Sequence, residues 1–258
     1  MKYFIFSFVL FYCHCTFAQR YELGLNIGTS NYFGDLSPRL AVKNTREAIG
    51  IFAKKNISKY WSFRLNYTHA RIAAADSSFK YNKLRNLSFV NNVNEFSGIF
   101  EFNYQPYALG ILANKSTFYV LFGAAFLLHN PTASYQDLTL NLRELKTEGQ
   151  SVPYSKFAIA VPMGIGYKWD VSTTFILSVE LGFRWAFTDY LDDVSTTYPD
   201  LNGKLPIVAH MSDRSVEKND FPLSTIKKQR GDANPFDWYT ISAVHFAYRF
   251  KPSSCYHF

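Results

Sequence analysis

Residues 175–198 read FILSVELGFRWAFTDYLDDVSTTY, and the first half of this stretch decides the fold. Phe175, Leu177, Val179, Leu181, Phe183, Trp185 and Phe187 fall on one side of an extended chain, with Ser178, Glu180, Gly182, Arg184 and Thr188 on the other. The period is two, which marks a strand and not a helix. Seven alternating apolar positions exceed an ordinary strand of about 5–6 residues. They suit a tilted strand crossing a bilayer, which needs roughly 9–11. A charged second face then calls for a closed barrel, because in hydrocarbon every backbone donor and acceptor needs a partner.

The composition agrees with this class. Of the 258 residues, 48% are hydrophobic and 18% aromatic, yet the mean hydropathy is slightly negative. Past residue 20 no apolar run approaches the ~18 residues of a membrane helix, and a disordered chain would carry far fewer aromatic residues. An all-β protein remains.

Residues 1–18 read as a secretory signal, with Lys2 ahead of an apolar centre and Thr16 and Ala18 before the expected cut. Tyr12 and His14 precede Cys13 and Cys15 and argue against lipid attachment. With those two cysteines removed, Cys255 is the one thiol left, which excludes an internal disulfide or a cysteine metal site. Residues 19–258 are then expected to form one barrel domain in the outer membrane. The net charge of +7 falls to +6 when Lys2 is lost. The basic residues are scattered, so loops facing outer-membrane lipid and lipopolysaccharide account for them better than nucleic acid does.

Seven further strands are expected at residues 21–29, 45–55, 60–72, 93–105, 117–129, 154–169 and 238–250. With the strand from Phe175 the total is eight. Short turns follow strands two, four and six, and long loops follow strands one, three, five and seven, the asymmetry of outer-membrane barrels with short periplasmic turns. Pro162 cannot donate to a ladder and is expected to mark a bulge. Tyr21, Tyr60, Trp61, Tyr104, Tyr167, Trp169, Trp238 and Tyr239 gather near strand ends, as interfacial aromatic girdles do.

A soluble lipocalin-like barrel would invert the faces. Glu22, Arg64, Glu101, Glu180, Arg184 and Arg249 all stand on the less apolar face, and the expectation is that they point into the lumen. Eight strands leave an interior just wide enough for side chains to fill. These six are therefore expected to form an ion-pair network that plugs the barrel, with a proton path or solute channel as the competing reading.

Other candidates are weaker. His210 stands two residues before Ser212, a spacing reminiscent of small outer-membrane lipid A deacylases, but in a long loop away from any lipid face. Asp189, Asp192 and Asp193 lack the ligand spacing and turn glycine of a calcium loop, so turn formation is the safer role. His69, His129 and His245 have no metal-ligand spacing, and there is no glycine-rich phosphate loop or zinc motif. No cofactor, metal or catalytic residue is expected.

Several segments are familiar as a set: NYFGDL at residues 31–36, TEGQ at 147–150, AVPMGIGY at 160–167, TDYLDDVS at 188–195, and DWY at 237–239. Together they resemble the PorG family of outer-membrane β-barrels, associated with the type IX protein secretion system. The likeness spans nearly the whole mature chain, and TDYLDDVS followed by Tyr198 is its most specific part. What the resemblance implies is a non-enzymatic barrel that helps tie a periplasmic ring of PorK and PorN to the outer membrane. Thr188, Asp189, Tyr190, Asp192 and Asp193 are the partner-contact candidates, since polar loop sequence on a rigid strand is where function often sits. An OmpX-like surface barrel for adhesion or membrane integrity is the alternative, and a lipid-modifying hydrolase the third reading.

Overall fold

A computed structural model describes residues 21–79, 82–107, 114–219, 221–222, 228–231 and 234–250. The expected signal segment and Cys255 lie outside them. Ten strands form: β1 (Tyr21–Phe33), β2 (Arg46–Asn56), β3 (Trp61–Ala75), β4 (Ser88–Asn103), β5 (Ser116–Leu128), β6 (Pro131–Tyr135), β7 (Leu138–Asn141), β8 (Phe157–Asp170), β9 (Phe175–Ala186) and β10 (Trp238–Arg249). Two short helices, α1 (Leu142–Leu145) and α2 (Pro206–Ser212), lie in the loops.

Eight of the strands close into an antiparallel barrel. Each of β1 to β4 pairs with the next strand, β5 with β8, β8 with β9, β9 with β10, and β10 returns to β1 from Glu22↔Arg249 to Phe33↔Trp238. Closure removes both sheet edges, which is what a bilayer demands. The β6–β7 hairpin stands above the rim and leans on β4 through Val90↔Thr132.

The faces are those of a transmembrane barrel. Leu25, Ile51, Tyr67, Phe96, Phe126 and Ile159 are successive cross-strand partners on the outside. Phe96 is 54% exposed and Ile51 64%. A continuous apolar band of this kind is untenable against water and natural against lipid. Glu22, Glu95, Glu101, Arg64 and Arg184 are meanwhile buried in the lumen, which excludes the lipocalin-like inversion.

Three local expectations change. Pro162 makes no bulge: the pairing of β8 with β9 runs through Pro162↔Arg184 in one register, and only the ladder toward β5 skips it. Tyr239 leaves the aromatic girdle, because period two beside the outward Trp238 turns it inward, where it is fully buried. β4 begins at Ser88 and not at 93, since β3 and β4 stay paired to Ala75↔Ser88 beyond the apolar band. Out there the ladder persists while Asn91, Asn92 and Asn94 replace the apolar alternation.

Candidate functional site: a sealed lumen and its outer cap

The lumen is filled by paired charges. Glu101 is the hub, with Lys168 Nζ at 2.8 Å, Lys54 Nζ at 3.0 Å and Arg64 Nη1 at 3.3 Å. Arg64 continues to Glu180 at 2.7 Å, and Tyr119 donates to the same carboxylate at 2.9 Å. Toward the inner end Arg249 joins Glu22 at 3.0 Å and Asp170 at 2.9 Å. Toward the outer end Arg184 meets Glu95 at 3.2 Å, and Tyr239 donates to that carboxylate at 2.6 Å. Five cations thus face five carboxylates, and buried charge is tolerated only when paired in this way.

Two glycines make room for the network. A Cβ on Gly166 would stand 2.3 Å from Tyr119 Cζ, and one on Gly182 would stand 2.1 Å from Arg184 Nη1. Their absence lets a phenol and a guanidinium cross the interior. All six residues expected in the lumen lie there, in two groups: Lys54, 3.8 Å from Glu22 and 3.0 Å from Glu101, joins the inner charges to the central ones, and Arg184 with Glu95 stands apart. Lys54, Glu95, Lys168, His245, Tyr119 and Tyr239 complete them, and their inward parity along the strands was the available signal. The inner end is stopped by Tyr107, which is fully buried, donates to Asp170, and accepts from Arg249 at 3.1 Å.

The outer end is closed by the chain that follows β9. Leu191, Asp192, Asp193 and Val194 are buried, while Thr188, Asp189 and Tyr190 keep part of their surface. Neither Asp192 nor Asp193 faces outward. Asp192 accepts from Tyr32 at 2.7 Å and from the Val194 amide at 2.9 Å. Tyr32 also contacts Asp237, whose other oxygen accepts from the Leu191 amide at 3.0 Å. Asp193 accepts from Thr147 and, at 2.8 Å, from Tyr154. Arg230 donates to the Asp193 carbonyl at 2.6 Å and pairs with Glu148 at 3.1 Å. Glu148 in turn accepts from the Ser195 and Thr196 amides. NYFGDL, TEGQ, TDYLDDVS and DWY, far apart in sequence, are therefore parts of one cap.

Burial pushes the Asp193 carboxyl up to about 6, against the pull of Arg230, Thr147 and Tyr154. Burial, and then the Asp237 charge, raise Asp192, and Asp237 is raised as well, chiefly by burial. Geometry agrees: Tyr32 brings one hydroxyl proton to two carboxyl groups, an arrangement that favours a proton on one of them. A carboxyl held above its unfolded value stabilises the fold below that unfolded value and loses the contribution as pH rises through the folded one. Amide protection of residues 188–198, corrected for intrinsic exchange, should therefore be greater at pH 5 than at pH 8. Protection that grows with pH would contradict this assignment.

The enzymatic candidates come apart. His210 Nε2 faces Glu217 at 2.9 Å and its ring packs on Tyr135 at 4.2 Å. Ser212 is fully buried, and its hydroxyl has no hydrogen-bond partner among the described residues. No nucleophile–base pair exists there. Asp189, Asp192 and Asp193 do not converge, and no group of three metal-ligating side chains occurs among the described residues.

Residues 1–205 match a family described as a domain of unknown function, DUF6089. The chain belongs to the DUF6089 family. No curated protein matches it in sequence. Solved structures similar to this DUF6089 chain include OprG of Pseudomonas aeruginosa, at 9% identity and TM-score 0.44 over 89% of this chain and 95% of that one. Neisserial surface protein A is similar at 9% identity and TM-score 0.41, over 89% and 97%. The N-terminal barrel domain of P. aeruginosa OprF has 12% identity and TM-score 0.37, over 88% and 96%.

Proposed function

We propose that this protein is a non-enzymatic outer-membrane component of the type IX secretion system, exported by a cleaved signal and anchoring or organising the periplasmic ring. The observation that carries the non-transport part is the lumen, closed by Tyr107 at one end, the Glu101 network in the middle and the cap at the other. A barrel filled in this way works by what it binds. The secretion role is supported by the resemblance to the PorG family. Four of the five motifs that carry it, all but AVPMGIGY on β8, contribute residues to the cap.

The test is a crosslinked pull-down of the tagged protein from outer membranes, with mass spectrometry of what is retained. The reading expects PorK and PorN homologues, lost when the barrel is denatured before capture. Recovery of lipopolysaccharide and unrelated porins alone would favour an OmpX-like surface barrel with the same fold.

A further inference from the structure

The lipid-facing wall of β1 to β4 carries a groove of about 690 Å³ between Leu23, Ile51, Ala53, Leu65, Phe96 and Gly98. Leu23, Ala53, Leu65 and Gly98 are successive cross-strand partners in one row. Ala53 and Gly98 are the small members of that row, so the wall dips beside them, while Ile51 and Phe96 stand over it from the next row outward. The volume lies within the range of small-ligand sites, roughly 300–1,000 Å³. An apolar lining at this depth suits an acyl chain.

The charge at the inner end of the groove selects the lipid. Tyr21, Lys55 and Phe63 form the next row toward the periplasm. Lys55 therefore stands on the lipid-facing side two residues beyond Ala53, about 7 Å along the strand, and Lys59 follows on the turn to β3. Lys55 Nζ lies 5.6 Å from the centre of the Tyr21 ring, and Lys59 Nζ lies 5.4 Å from that of Tyr60. Both lysines are exposed, and neither forms an ion pair among the described residues. The carboxylates at this end, Glu22, Glu101 and Asp170, are held in the lumen by Lys54, Arg64, Lys168 and Arg249. The charge left beside the groove is positive, with tyrosine rings at headgroup level. Lysines that snorkel to an interface present their ammonium groups to phosphate. A zwitterionic lipid supplies its own cation there, and a lipid of net negative charge does not. We infer that the groove binds an anionic phospholipid of the inner leaflet, with an acyl chain along Ala53 and Gly98 and the phosphodiester at Lys55 and Lys59. The inference is independent of the secretion role.

The test is native mass spectrometry of the full chain in detergent, titrated with phosphatidylglycerol or with phosphatidylethanolamine of matched acyl chains. One phosphatidylglycerol should be retained about tenfold or more in preference to phosphatidylethanolamine, the effect expected of two lysines at an anionic headgroup. Replacing both, Lys55→Gln with Lys59→Gln, should abolish that preference and leave phosphatidylethanolamine binding unchanged. Lys115→Gln removes an exposed cation from the turn before β5 and should leave the preference intact. At Gly98 an added Cβ would make ordinary contact with Phe63, at 3.4 Å. Gly98→Leu should therefore keep the fold and weaken both lipids alike, about tenfold for two displaced methylenes. Equal retention of the two lipids by the parent chain would overturn the inference and leave the lysines to an acidic periplasmic protein. A preference that survives the double substitution, one lost with Lys115→Gln, or binding indifferent to Gly98→Leu would overturn it as well.

Discussion

Glu101→Ala should destabilise the folded barrel by about 3–5 kcal/mol, the cost of removing one partner from a buried ionic cluster. Glu101 is inaccessible and stands within 3.3 Å of Lys54, Lys168 and Arg64. After its loss Arg64 keeps Glu180, and Lys54 keeps a 3.8 Å approach to Glu22. Lys168 keeps no carboxylate partner within salt-bridge distance among the described residues. Adding Lys168→Met to the Glu101→Ala chain should therefore recover part of the loss, a coupling that a merely spatial effect would not produce. Urea unfolding in lipid vesicles, followed by the heat-dependent mobility of the barrel on gels, reads both changes. A Glu101→Ala chain as stable as the parent would contradict the lumen network. Glu47→Ala, at the exposed pair with Arg71, is the control and should be close to neutral.

Val179→Arg should cost about 2–4 kcal/mol, the penalty for arginine near the midplane of a barrel's lipid face. Val179 lies halfway along β9, is 44% exposed, and is flanked by Tyr167 on β8 and Val244 on β10. On a water-facing barrel the same change would be almost silent. Folding yield into vesicles therefore separates the two environments, and an unaffected yield would mean that this face does not meet lipid.

The barrel was legible because its outer face has to be apolar at every second residue, a demand that leaves a mark in each strand. The residues from Phe175 to Phe187 show this most fully. The demand ends where the bilayer ends, so the outer extension of β4, the β6–β7 hairpin and α2 left no such mark. Lumen parity was equally legible, yet Lys54, Lys168 and Glu95 gained meaning only when three-dimensional neighbours supplied partners. The cap was hidden for a different reason. Asp192 and Asp193 read locally as solvated turn residues, and what buries Asp192 is a tyrosine 160 positions earlier in the chain. The resemblance had already marked these segments. It could not say that they meet, nor that two of the five partner-contact candidates are spent inside the cap.

Single-channel recording in planar bilayers shows whether the barrel is sealed. The parent protein should insert without discrete conductance steps. Loosening the cap with Arg230→Gln should bring at most small, flickering events, since Tyr107 and the Glu101 network still block the path. Stable, ohmic steps from the parent protein would show an open aqueous lumen and contradict the account.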